Sequence, residues 1–254
     1  MRTATSLFLL LAACASTTKH APETTKPTAP AEARPEPAKN GRLEKARAVL
    51  DAALASPDLE VRGEALAALG VSGRGDALAR LSEALEAEDG KLRFAGARGL
   101  SHLRDRRAAR AMAVAFRKEQ GWAVRMELAR AAGACGASEL VPDLRKALKD
   151  PRRDVAVAAA FALEDLGDRA GPTALARFGN PERKGVPKEG VDRWSRKVLG
   201  GQKEGDRALA AKTLAETGSA EDLELLEPFL AATESDLRVW AAAAVVKLDS
   251  QKRP

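Results

Sequence analysis

Six stretches of the chain can be written one beneath another: VRGEALAALGVSG from Val61, LRFAGARGLSHLR from Leu92, VRMELARAAGACG from Val124, VAVAAAFALEDLG from Val155, DRALAAKTLAETG from Asp206 and LRVWAAAAVVKLD from Leu237. Their starts are separated by 31, 32, 31, 51 and 31 residues. A recurring period in the thirties marks a stacked array, in which each unit buries its apolar face on the next. No other feature of the sequence narrows the fold as far.

Each block carries small or aliphatic residues at offsets 4, 8 and 11 from its start, a spacing that lines one face of a helix. In four blocks a glycine stands at offset 12 (Gly73, Gly136, Gly167 and Gly218), where left-handed backbone ends a helix. A second apolar segment precedes the blocks, as in Leu43, Ala46, Leu50 and Leu54, or Leu78, Leu81 and Leu85. The prolines of SPD (56–58) and DPRRD (150–154) fall between paired helices, where they stop one and can begin the next. Alanine and leucine dominate the apolar residues and tyrosine is absent, which favours helix over strand. The spacing predicts an all-α fold, an α-solenoid of about six helix pairs over residues 41–254.

The stretch SPDLEVRGEALAALG resembles the pattern D-P-x-x-x-V-R-x-x-A-x-x-A-L-G of HEAT-like repeats, in the short form first described in phycobilin lyases, and the other blocks match in part. The resemblance spans residues 42–250 and implies an α-solenoid. It further implies that the arginine at offset 1 pairs with an acid near the preceding turn. Arg62, Arg93, Arg125, Arg207 and Arg238 hold that place, with Asp58, Asp89 and Asp236 nearby. The fourth block departs from the pattern at Ala156, with Arg152 and Arg153 just ahead. Arrays of this kind serve many roles, so the resemblance speaks to fold and not to activity.

The array is irregular in one place. Eighteen residues separate Gly73 from Leu92, but 38 separate Gly167 from Asp206, which places an insertion around 168–205. Insertions of this length in repeat arrays project from one face and are functional or disordered. Trp194 sits there between Arg193 and Arg196, a composition enriched at binding hot spots. Arg183, Lys184, Arg193, Trp194, Arg196 and Lys197 are the candidate partner contacts. Trp122 and Trp240 are read as packing residues.

Charge is distributed unevenly. Residues 91–203 hold 25 Lys and Arg against 13 Asp and Glu, whereas residues 41–90 and 204–254 each hold 6 against 10. In chain order this is a basic middle between acidic ends, able to attract an anionic surface or to lie solvated on helix faces.

The first residues have a different character. One positive charge at Arg2 precedes LFLLLAA (7–13), too short to span a bilayer but suited to a secretory signal. Leu11-Ala12-Ala13-Cys14 resembles the lipobox of bacterial lipoproteins, which implies cleavage before Cys14 and attachment of diacylglycerol to its thiol. In that family an aspartate after the cysteine retains the protein in the inner membrane; Ala15 here implies the outer membrane. Five prolines among residues 15–40 make a flexible tether that cannot bury a core, with a reach of about 30 to 80 Å.

Chemistry is sparse. Two cysteines and two histidines are too few for a disulfide framework or a structural zinc site. His102 is read as a surface residue and Cys135, at an apolar offset, as a buried small hydrophobe. No catalytic, metal or cofactor residues are assigned. The expected function is that of a lipid-anchored, non-catalytic scaffold or assembly factor of the cell envelope. Its expected partners are the membrane and another envelope protein, without nucleic acid or a small-molecule substrate. Two alternatives stay open: binding of an anionic cell-wall or lipopolysaccharide surface through the basic middle, and a HEAT-like lyase-type enzyme.

Overall fold

In a computed structural model, described for residues 37–179, 195, 196, 198, 199 and 204–251, helices follow the repeat closely. They run α1 (Pro37–Leu54), α2 (Leu59–Ser72), α3 (Ala77–Ala84), α4 (Gly90–Leu103), α5 (Ala109–Lys118), α6 (Trp122–Ala134), α7 (Val141–Ala147), α8 (Arg153–Asp165), α9 (Ala170–Arg177), α10 (Glu204–Thr217), α11 (Leu223–Leu226) and α12 (Ser235–Ser250). Short 3₁₀ turns precede α5 and α7 and flank α11. The chain is an all-α solenoid, with no strand among the described residues. All of these helices lie in the unit Glu36–Pro254.

The six repeated blocks become α2, α4, α6, α8, α10 and α12, and these form the inner layer. Asp58 and Asp89 cap α2 and α4, each accepting the amide two residues on, at 2.8 and 2.7 Å. Gly73, Gly136 and Gly167 close α2, α6 and α8 in the left-handed conformation. Gly218 does not, and in the second unit the left-handed position falls instead to Arg104, at φ 55°. Glycine serves another purpose where α2 crosses α4. A Cβ on Gly70 would collide with the Gly99 carbonyl, and one on Gly99 would lie 2.7 Å from the Leu66 carbonyl oxygen. The two helices touch backbone to backbone.

Spatial order differs from chain order. α2, α4, α6 and α8 stack in sequence, and α9 covers the far side of α8 through Ala174 and Leu175 against Ala160. Residues 168–179, read as part of the insertion, therefore belong to the array. α10 and α12 do not continue beyond α8: α12 packs against both α1 and α2. The inner layer thus reads α10, α12, α2, α4, α6, α8, with the last two units ahead of the first. Arg42 Nε donates to Glu227 at 2.6 Å, and Trp240 Nε1 donates to Glu64 at 3.1 Å, across 185 and 176 residues of chain.

This order explains two helices that lack a polar side. In α12 the eight consecutive residues from Val239 to Val246 are buried, and in α2 the run from Ala65 to Ser72 is buried. A terminal helix would present a polar outer face to water, whereas one apolar all round must be covered on all sides. α2 divides its side chains between two cores. Leu66 and Leu69 join the core of α3 to α8; Ala65, Ala67, Ala68 and Val71 join that of α1, α10 and α12. Charge is redistributed as well. The two acidic segments are neighbours, so one acidic half abuts a basic half in which residues 91–179 carry 18 basic and 10 acidic side chains.

Candidate functional site

Two of the five arginines at offset 1, Arg93 and Arg125, form a ladder that pairs forward, whereas Arg238 donates to the preceding Ala232 carbonyl at 2.6 Å. Arg93 Nε and Nη2 donate to the two Glu119 carboxylate oxygens at 2.7 and 3.2 Å, while its Nη1 donates to the Ala87 and Glu88 carbonyls. Arg125 holds Asp150 in the same way, at 2.9 and 3.2 Å, and donates to the Gln120 carbonyl. Although burial opposes it, the Arg93 contact keeps the Glu119 carboxyl below its ordinary range, and Arg125 does the same for Asp150. The preceding turn thus supplies carbonyls, and the acid comes from the turn after, five residues before the next block. In the second unit that place is Ala87, and the buried Arg62 Nε has no hydrogen-bond partner. Asp58 and Asp89, the acids expected to pair, are occupied as helix caps.

A second row ties the outer helices together: Arg117 to Asp143 at 2.8 Å, Arg145 to Asp168 at 2.6 Å, and Arg196 to Asp222 at 2.5 and 3.0 Å. Arg196, a candidate partner contact, is thereby committed to an internal ion pair with a buried carboxylate. Cys14, Arg183, Lys184, Arg193, Trp194 and Lys197 lie outside the described residues. Trp122, expected to pack inside, is 40% exposed with the Arg152 guanidinium 4.6 Å from its ring centre. Trp240 is buried, and so is Cys135, whose thiol contacts the Leu100 carbonyl at 3.3 Å and is pushed up to about 11 by burial.

A cleft of about 910 Å³ lies on the inner layer, walled by α4, α6 and α8 and reached by α10. Its position follows from the repeat. Offset 6 of successive blocks supplies Arg98, Arg130, Phe161 and Lys212, and offset 2 supplies Phe94, Met126 and Val157. Neither row stood out in the sequence, because attention to the core offsets 4, 8 and 11 leaves out the face that turns toward the cleft.

His102, expected at the surface, is half-buried and lines this cleft, its Nδ1 3.9 Å from Glu216 Oε1 of α10. Burial, reinforced by the positive charges of Arg98, Lys212, Arg104 and Lys247, lowers its imidazole to about 4, so it is neutral at pH 7. Glu127 is buried beside it, 3.6 Å from Arg130, and burial raises its carboxyl. Burial and the nearby Arg98 lower the Lys212 ammonium, which stands 4.9 Å from the Trp240 ring centre. Arg98 lies 3.7 Å from Glu64, the residue that accepts from Trp240. These contacts join α4, α2, α12 and α10 into one charged floor. No group of three or more potential metal ligands occurs among the described residues.

Comparison with known proteins agrees with the repeat. The profile of HEAT repeats matches residues 46–131, from α1 to α6. Residues 46–131 therefore carry HEAT-like repeats. No curated protein matches its sequence. Among solved structures it is similar to the complex of CpcE and CpcF of phycocyanin lyase from Nostoc sp. PCC7120, at 23% identity and TM-score 0.44, covering 81% of this chain and 84% of that one. It is also similar to an engineered protein, at 21% identity and TM-score 0.37, covering 83% and 97%.

Proposed function

We propose that this chain is a non-catalytic HEAT-repeat scaffold of the bacterial cell envelope, anchored through a lipid on Cys14 and docking another envelope protein in the inner cleft. The cleft carries this reading: a cavity of about 910 Å³ whose walls combine half-buried apolar side chains with exposed Arg130 and half-buried Arg98, whose nearest acids stand 3.6 and 3.7 Å away. Such a mixture suits recognition of a polypeptide surface better than turnover of a small substrate. The resemblance of residues 11–14 to a lipobox supports the anchor, and the prolines of residues 15–40 would let the array work at a distance from the membrane.

Binding to an anionic cell-wall or lipopolysaccharide surface would draw on the same basic half. It is less favoured, since Arg93, Arg117, Arg125 and Arg145 are each tied to a carboxylate of the fold.

The test joins anchor and cleft. Cys14→Ser should remain uncut and unacylated, so a processed, membrane-bound mutant would remove the anchor. A photo-crosslinking residue at Arg130, in intact cells, should capture one dominant envelope protein, and the same residue at exposed Arg110 on α5 should not. Lipid, polysaccharide or nothing at Arg130 would remove the scaffold.

A further inference from the structure

We propose that the cleft over α4, α6 and α8 receives an extended, acidic segment of the docked protein, seating one apolar side chain at every third position. This rests on the scaffold reading above and adds the chemistry of the partner.

Two parallel rows cross the cleft. Phe94, Met126 and Val157 are half-buried on three successive inner helices, and Arg98 and Arg130 lie one turn further along two of them, with Lys212 facing from α10. Neighbouring helices pack about 8–10 Å apart. A chain extended as a polyproline II helix advances about 3.1 Å per residue with three residues per turn, so every third side chain returns to the same face about one helix spacing further on. Apolar groups at that spacing would meet the three apolar side chains in turn.

Two helix spacings, about 20 Å, match the roughly 19 Å between the first and seventh residues of such a chain.

The lining holds five cations (Arg98, Arg104, Arg130, Arg153 and Lys212) against four carboxylates (Glu127, Asp154, Asp165 and Glu216), and the placing of two of the cations favours an acidic occupant. The ladder arginines hold their carboxylates through hydrogen bonds of 2.7 and 2.9 Å, but Arg98 and Arg130 stand 3.7 and 3.6 Å from their nearest acids, beyond good hydrogen-bonding distance. Their donors are left for an incoming carboxylate. Arg98, Arg104 and Lys212 all line this cleft near His102, and an arriving carboxylate would offset their mutual repulsion. Toward α2 and α12 the surface changes sign, with Asp58, Glu60, Glu64 and Asp236 lining the adjoining groove, so the acidic segment ends at α4. Three helices accommodate about nine residues.

The experiment is fluorescence anisotropy of the purified full chain with a labelled nine-residue peptide, three repeats of Leu-Glu-Asp. Two controls accompany it: a peptide of the same composition with its leucines contiguous, and three repeats of Leu-Lys-Lys. Binding should weaken at least tenfold with contiguous leucines, disappear with lysines, and weaken as salt rises. The Arg98→Glu, Arg130→Glu double variant should lose at least tenfold and Arg110→Glu nothing. Should the double variant misfold by circular dichroism, Arg130→Glu alone, at an exposed position, should still lose several-fold. Equal affinity for the two acidic peptides would overturn the three-residue spacing, and equal affinity for the lysine peptide would overturn the charge. Failure of every peptide, while crosslinking at Arg130 still captures a protein, would overturn this inference and leave the scaffold standing; failure of both would remove the two together. Lipopolysaccharide or anionic vesicles bound through Arg98 and Arg130 in place of any peptide would likewise overturn it.

Discussion

The half of the array built on α4, α6 and α8 and the half built on α10, α12 and α2 come from one repeat, but they use the offset facing the cleft differently. In α2 and α12 that offset is Ala67 and Ala243, both sealed; in α4 and α6 it is Arg98 and Arg130, half-buried and exposed. α2 and α12 have given the position to packing, whereas α4 and α6, with Lys212 of α10, have kept it for charge and α8 fills it with Phe161. A buried charge left without close partners is costly, so cations at a repeated position are tolerated only where water or a ligand can reach them. The comparison separates what holds the array together from what remains available to bind.

The largest effect should come from breaking the closed half. Deleting residues 204–254 removes α10 and α12 and uncovers the apolar sides of α1 and α2. The truncated chain should lose cooperative thermal unfolding and aggregate, as followed by circular dichroism and light scattering. A monomeric, cooperatively folding truncation would mean that the last two units are a dispensable end. Next, Asp150→Ala should cost about 3 kcal/mol in denaturant unfolding, since it strands Arg125 and removes the cap on the Arg152 amide. Glu127→Gln in the cleft should be neutral or stabilising, because burial already raises that carboxyl. Equal losses at the two sites would erase the distinction between ladder and cleft.

The pH dependence sharpens it further. His102 titrates at about 4 in the folded chain against an ordinary 6.5, so the unfolded state binds more protons between those values. Its contribution is complete above pH 6.5 and is lost as pH falls toward 4. His102→Gln should flatten that part of the stability profile, and an unchanged slope would place the imidazole in water. The smallest effect is local. Arg104→Gly should stabilise by about 1 kcal/mol by relieving a left-handed non-glycine residue, measured as a rise in Tm.

The repeat made the inner helices legible in the sequence. Leu69, Leu100, Leu128, Leu163, Leu214 and Leu248 are buried as their spacing requires. What spacing could not give was neighbourhood. Period identifies equivalent residues but not which unit stacks on which, and the residues between Gly179 and α10 are numerous enough to let the chain return to its beginning. The residues that betray the return are those of WAAAAVVKL (240–248), apolar on every side where an end unit needs a polar face. Direction of pairing was hidden for a similar reason. Asp58 and Asp89 sit near the right arginines in sequence, yet an aspartate just ahead of a helix is better satisfied by the free amides of its first turn. The cleft was the least visible feature: Arg98, Arg130, Phe161 and Lys212 differ in chemistry and share only an offset.

The most direct test of the cleft as the working surface compares charge reversals of equal size in two places. Arg98→Glu with Arg130→Glu changes the cleft; Arg110→Glu with Arg177→Glu changes exposed positions on α5 and α9. Each pair is introduced into the full chain, and the partner recovered after crosslinking in intact cells is quantified against wild type. The expected result is at least a tenfold loss for the cleft pair and no loss for the outer pair. Equal losses, or undiminished recovery with the cleft pair, would contradict the assignment.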